Sequence, residues 1–247
     1  MEDNKIIKIS ASSIKTFTQC PRKYKFNYLD HLPRKAWNHL ILGNLCHKAL
    51  EIFHHSLIIN PVPKNEFGKI MGDSFQEARK EFTATKEIEE EAFLLLKNYL
   101  LMLEQKSLPK VKDVEVPFEF YLDERVFIRG FIDRIDVLED GRFHIVDYKT
   151  TKNTKYLEPF QLGVYGLWLR KDNPNIKSFD ASYVLLRHKS STKEYSFSQK
   201  DLDNIHKELL MYANQIDNEV DWKTNPSPLC RYCDFYEICD AQNIKGW

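Results

Sequence analysis

The stretch Gly130-Phe131-Ile132-Asp133, followed by the apolar run Phe143-His144-Ile145-Val146-Asp147-Tyr148-Lys149, constrains this chain more than any other feature. Side chains alternate faces along a strand, so Asp147 and Lys149 share one face while Tyr148 points to the other. An unpaired carboxylate is costly to bury, so a charge in such a run is paired or bound to a metal. Glu139-Asp140-Gly141 reads as a three-residue hairpin loop with Gly141 in the left-handed conformation, which closes Leu138 against Arg142. That register sets Asp133 opposite Asp147, both on one face. A two-residue Asp140-Gly141 turn would oppose Asp133 to Tyr148 and split the carboxylates, because a one-residue slip reverses every side chain. The longer loop is expected, with Asp136 on the far face and Asp133 as the functional partner of Asp147. A carboxylate–lysine ion pair at a strand end is the plainer alternative.

Composition narrows the possible partners. In 247 residues, 36 Lys and Arg balance 36 Asp and Glu. No global field therefore draws an anionic polymer, and nucleic-acid contacts must come from local basic patches. The length suffices to bury a full core, as one large domain or one domain with an insertion. No apolar run follows Met1, and no segment approaches the roughly twenty apolar residues of a membrane span. A soluble, cytoplasmic protein with no membrane partner is expected.

The five cysteines are unevenly placed. Cys230, Cys233 and Cys239 fall in one Pro-rich C-terminal stretch, and Cys20 lies at the other end in Gln19-Cys20-Pro21-Arg22. In an intracellular chain this argues for thiolate chemistry over a disulfide framework. Closing a four-thiol set would staple the termini together and constrain the unfolded chain. Four sulfur ligands suit zinc or an iron–sulfur cluster, with ordinary buried cysteines as the alternative. Cys46 reads as a core residue of its helix.

Along the chain, Ser12 is expected to cap a short helix, and Pro21 to begin the next, running through Tyr24 and Tyr28. Residues 37–59 read as a helix with Leu45, Ala49, Ile52 and Phe53 on its apolar side, and His47 and Glu51 sharing a face. Helices over 67–82 and 87–105, the second with a stripe through Phe93, Leu96, Leu100 and Leu103, form an expected helical insertion over 60–110. Strands follow at 114–121, 126–138 and 142–150. A helix runs from Pro159 to about residue 170, then strands at 179–187 and 194–197, a helix over 201–220, and a cysteine-rich segment at 226–240. The fold class is α/β: a mixed central β-sheet flanked by helices, with an N-terminal helical region and a cysteine-rich segment closing on Cys20. The whole of 1–247 reads as a single domain.

Asp133, then Asp147-Tyr148-Lys149, then Gln161-Leu162-Gly163-Val164-Tyr165 on the next helix resemble the PD-(D/E)XK nuclease superfamily in its RecB-like branch. His47 ahead of the sheet and the pattern of Cys20 with Cys230, Cys233 and Cys239 are similar to the iron–sulfur nucleases, namely the CRISPR-associated RecB-like exonucleases and the nuclease domain of AddB. The resemblance runs from Ser12 to Cys239 and implies a restriction-endonuclease-like core. It also implies that His47, Asp133, Asp147 and the main-chain carbonyl of Tyr148 hold Mn2+ or Mg2+. Lys149 would orient the attacking water and offset transition-state charge, with Gln161 and Tyr165 reaching the site from the helix and Glu51 supporting His47. The four cysteines would hold a [4Fe-4S] cluster.

A metal-dependent DNA nuclease is therefore expected, an exonuclease on single-stranded ends, in repair, recombination or phage- and CRISPR-related processing. One alternative is a nuclease that trims DNA for CRISPR spacer acquisition with an integrase partner. Another, of a different class, is a non-catalytic iron–sulfur scaffold docking a helicase. Arg22, Lys23 and Tyr24 mix basic and aromatic character in a way that suits single-stranded DNA, and suits an ordinary amphipathic helix equally.

Overall fold

The computed structural model describes residues 5–35, 37–105, 109–155 and 157–243. In chain order the elements are β1 (Ile7–Ile9), α1 (Ala11–Gln19), α2 (Pro21–Tyr24), α3 (Asn38–Ile59), α4 (Phe67–Ala78), α5 (Lys86–Gln105), β2 (Lys110–Tyr121), β3 (Val126–Val137), β4 (Phe143–Lys149), α6 (Phe160–Asp172), β5 (Ser178–Leu185), β6 (Ser191–Ser198) and α7 (Gln199–Asp217). A π-helical turn, Lys25–Leu29, extends α2, and short 3-10 turns fill the C-terminal segment. The class is mixed α/β, as expected. Residues 106–108, inside the expected insertion, lie outside the described residues.

Two compact units are present, each assembled from segments distant in sequence. One comprises the described residues of Met1–Lys35, Glu119–Gly130 and Asp203–Trp247; the other comprises those of Ala36–Phe118 and Phe131–Leu202. In the first, β1 pairs in parallel with the start of β3, Ile7 opposite Val126 and Ile9 opposite Ile128. The sequence shows no strand at β1, whose three residues are too short to carry a period. Helix α1 is capped by Ser10 rather than Ser12. Ser10 is extended, its hydroxyl accepts the Ser13 N–H at 3.1 Å, and Ser13 Oγ accepts the Ser10 N–H at 2.9 Å. Three serines offer the same cap, and the one preceding the first helical turn takes it.

The second unit carries the rest of β3 together with β4, β5 and β6. β3 and β4 are antiparallel, β4 and β5 parallel, and β5 and β6 antiparallel. The β3–β4 loop has the expected length: Leu138 N–H donates to Arg142 O, Gly141 N–H to Leu138 O, and Gly141 takes φ +84°. Arg134 pairs with Val146 and Val137 with Phe143, a register that carries Asp133 opposite Asp147. Helices α3, α4 and α5 supply most of this unit's core, with Val146, Tyr148 and Val184 from the strands. The helices of the segment expected as an insertion, α4 and α5, contribute buried residues to this core. On α5 the buried face runs through Ala92, Leu95, Leu96, Tyr99 and Leu103, and Phe93 is 49% exposed. The apolar stripe is rotated from the expected one because Tyr99, half polar by type, is wholly buried.

Helix α6 approaches β5 closely at Gly166, where an added Cβ would stand 2.0 Å from Phe179 Cε1. Alanine in a helix interior normally gains up to about 1 kcal/mol over glycine, whereas forcing a methyl into packed atoms costs about 1–3 kcal/mol. Overpacking should win. Gly166→Ala is expected to lower the urea midpoint with an unchanged m-value, and an equal or higher midpoint would refute the close packing.

Candidate active site

One face of the β3–β4 hairpin brings charge together. Asp133 Oδ2 accepts the main-chain N–H of Tyr148 at 2.7 Å and lies 3.3 Å from Nδ1 of His47 on α3. Asp147, 2% exposed, meets Lys149, whose Nζ lies 2.6 Å from Oδ1. Lys149 Nζ also donates to Gln161 Oε1 at 3.0 Å and sits 5.2 Å from the Tyr183 ring centre. On α6, Gln161 and Tyr165 are four apart and share a face. Gln161 Nε2 donates to the Tyr165 hydroxyl, which donates to Asp147 Oδ2 at 3.3 Å. Asp147, Lys149, Gln161 and Tyr165 thus close a ring of polar contacts in which each side chain fixes the next.

The electrostatics follow from this arrangement. Burial opposes ionisation of Asp133, but the His47 imidazole and the Tyr148 N–H outweigh it and leave the carboxyl below its ordinary value. Burial lifts Asp147 above its ordinary value, against the pull of Lys149. Burial acts to lower His47, yet the carboxylates of Asp133 and Asp147 raise it to about 9. Opposite charge within a few ångströms is what reverses the effect of desolvation.

Glu115, on β2, was not singled out in the sequence. A ligand atom of His47, Glu115 and Asp133 each falls within 4.8 Å of the others. Imidazole plus two carboxylates suits a divalent cation such as manganese. Glu115 takes φ +45°, and burial together with the nearby Asp133 lifts its carboxyl to about 7. The available signal was a carboxylate inside the apolar run Val114-Glu115-Val116-Pro117-Phe118, the same logic that marked Asp147. Asp147 stands outside this triple, turned toward Lys149 and Tyr165. Glu51 pairs with Lys48 at 3.1 Å, not with His47. The ion-pair alternative raised for the triplet describes the Asp147–Lys149 contact but not the gathering of His47 and Glu115 around Asp133.

In the other unit, Cys20, Cys230, Cys233 and Cys239 line one pocket with Phe26 and Phe235. All are free thiols, and burial raises Cys233 and Cys239. The segments that carry them are tied together by Arg22, whose Nε donates to Trp222 O at 2.7 Å, and by Asn225 Nδ2, which donates to Gln19 O at 3.0 Å. Such a donor set fits an iron–sulfur cluster or zinc. Cys46 is fully buried in the core of α3. Of the residues read as DNA-contacting, Tyr24 is 3% exposed and stacked on Trp222, so its ring is no platform for a base, and Arg22 is engaged as above; Lys23 is half-buried.

Relatives place this geometry. An ATP-dependent helicase/deoxyribonuclease component from Streptococcus mutans is 40% identical over 105 residues, covering 38% of this chain and 10% of the relative. Its counterpart in Streptococcus agalactiae is 27% identical over 172 residues, covering 64% of this chain and 15% of the relative. The chain thus spans only a small part of the length of these curated relatives. Among solved structures, a candidate exonuclease from Eubacterium rectale shares the fold at TM-score 0.50 and 15% identity, over 92% of each chain. The family model of the PD-(D/E)XK nuclease superfamily matches residues 8–240, so nearly the whole described chain, the hairpin included, is accounted for by one family. This chain belongs to the PD-(D/E)XK nuclease superfamily.

Proposed function

We propose that this protein is a divalent-metal-dependent deoxyribonuclease that hydrolyses phosphodiester bonds from single-stranded DNA ends and carries a structural [4Fe-4S] cluster. The observation that supports this most directly is the closed ring of Asp147, Lys149, Gln161 and Tyr165 beside the His47, Glu115 and Asp133 group. His47, Asp133, Asp147 and the Tyr148 carbonyl would hold Mn2+ or Mg2+, with Glu115 as a further donor. A bound cation would polarise a phosphoryl oxygen and lower the pKa of a coordinated water. Lys149 would place its ammonium where charge develops on the phosphate, held there by Asp147 and Gln161. Tyr165 keeps Asp147 aimed, and Gln161 keeps Lys149 from swinging onto Asp147 alone. Cys20, Cys230, Cys233 and Cys239 would hold the cluster. The names of the relatives favour a helicase over an integrase as the partner.

Asp147→Asn and Lys149→Ala should each reduce degradation of end-labelled single-stranded DNA in manganese by about a hundredfold or more, with the folded circular-dichroism spectrum retained. Undiminished cleavage by either variant would overturn the assignment of the site.

Metal binding should depend on pH with a definite sign. With His47 at about 9, the imidazole is protonated at pH 7 in the metal-free protein, and a cation must displace that proton. Manganese affinity should therefore rise from pH 7 toward 9 and level off above it. Calorimetry at pH 7 in buffers of different ionisation enthalpy should register more than one proton released per ion, one from His47 and a further fraction from Glu115, and a buffer-independent heat would exclude both as ligands.

Anaerobically purified protein is expected to be brown, with visible charge-transfer absorption that Cys233→Ser diminishes. Colourless protein with stoichiometric zinc would replace the cluster by a zinc site.

A further inference from the structure

Behind the hairpin, on the face opposite Asp133 and Asp147, lies a second polar cluster that the proposed chemistry does not use. Arg134 is 5% exposed, and around it are Asp136, His54, Tyr99 and Tyr148, each 2% exposed or less. Its Nη1 lies 2.6 Å from the Tyr99 hydroxyl, 2.7 Å from the Tyr148 hydroxyl and 3.1 Å from His54 Nε2, and its Nη2 donates to Asp136 Oδ2 at 2.9 Å. His54 Nε2 and the Tyr99 hydroxyl are themselves 2.7 Å apart. A buried guanidinium so surrounded is fixed in place, because breaking any contact leaves a charge short of a partner.

One link from the cluster to the active face runs through the backbone of Tyr148, beside the direct chain neighbours Asp133 and Arg134 and the shared helix α3. Tyr148 sends its phenol to Arg134, while its N–H donates to Asp133 Oδ2 at 2.7 Å on the active face. Main-chain pairing between β3 and β4 runs from Arg134–Val146 through Val137–Phe143. Beyond it toward the site, the Tyr148 N–H is taken by the Asp133 carboxylate. β5 holds β4 laterally through Lys149–Leu185. β5 pairs at Asp147–Tyr183 and Tyr148–Val184 as well, so it holds this backbone from one side while the Tyr148 phenol and the Asp133 carboxylate hold it from the other.

We infer that Arg134, held by Asp136 and His54, is a positioning residue for the active face, acting through the Tyr148 phenol to set the Tyr148 main chain and hence the Asp133 carboxylate, whereas the Tyr99 hydroxyl only packs against Arg134. Its consequence for metal affinity rests on the function proposed above, but its effect on the backbone does not. Groups that orient ligands from behind are commonly worth about 10–100-fold in metal affinity.

Two substitutions separate positioning from mere packing. Tyr148→Phe and Tyr99→Phe each remove one hydroxyl from the same Arg134 nitrogen, but only Tyr148 belongs to the strand that carries Asp147 and Lys149. In metal-free protein, Tyr148→Phe should accelerate hydrogen exchange of the residue-148 amide by about tenfold or more, and Tyr99→Phe should not. In the metal-bound state, the electron paramagnetic resonance signal of bound Mn2+ should report about tenfold weaker binding for Tyr148→Phe and less than a twofold change for Tyr99→Phe. Unchanged amide exchange in Tyr148→Phe, or equal loss of manganese affinity in the two variants, would overturn the proposal. Accelerated exchange in a protein whose unsubstituted form takes up no manganese would uphold the positioning role and overturn the metal site.

Discussion

The register of the β3–β4 hairpin is the constraint on which the remaining site geometry depends. A single glycine at φ +84° lets a three-residue loop close Leu138 on Arg142, and from that closure every pairing follows. Because the side-chain period is two, the loop length decides whether Asp133 and Asp147 meet on one face or are parted. With the faces fixed, each charged residue has its surroundings assigned. Asp133 meets His47, Asp147 and Lys149 meet Gln161 and Tyr165, and Arg134, Asp136 and Tyr148 meet His54 and Tyr99. One short ribbon therefore carries two polar constellations back to back, and neither could shift by a residue without delivering its charges to the other's partners.

Helix α3 serves both constellations. His47 and His54 are seven apart and so lie on one side of the helix, yet they end in opposite electrical states. His47 stands beside Asp133 and is raised to about 9, whereas burial and the Arg134 guanidinium push His54 well below its ordinary value. The same residue type on the same helix thus becomes a cation in one place and a neutral acceptor in the other. The partner across from it decides, and burial alone does not.

What can be read from the sequence follows from how local its signals are. Gly141, the alternation through Asp147-Tyr148-Lys149, and the four-residue spacing of Gln161 and Tyr165 each act within a few residues, and the structure shows the loop and strands that they imply. Ser10 is not legible against Ser12 because three neighbouring serines offer the same cap. Glu115 and Tyr99 fail for a different reason. Their significance comes from residues brought to them across the fold, His47 and Asp133 in one case and Arg134 in the other. The buried face of α5 is misplaced by a sequence reading because a tyrosine counts as half polar until its hydroxyl is seen to have partners. For Tyr24 the error is of the same kind in reverse: an aromatic beside basic residues looks like a platform for bases until Trp222 is found stacked upon it.

Glu115 shows how far the arrangement is from one chosen for stability. A non-glycine residue in the left-handed region costs about 1–3 kcal/mol and persists only where the surroundings over-determine it. Here the conformation is adopted to bring a carboxylate toward another carboxylate, a placement that burial and Asp133 both oppose. His47 offsets part of that repulsion as a single cation. Under the proposed function a divalent cation would supply two positive charges in place of one and would leave the His47 nitrogen deprotonated to ligate. A backbone strain, a raised carboxyl and a raised imidazole are then one feature, the gathering of His47, Glu115 and Asp133 at one point.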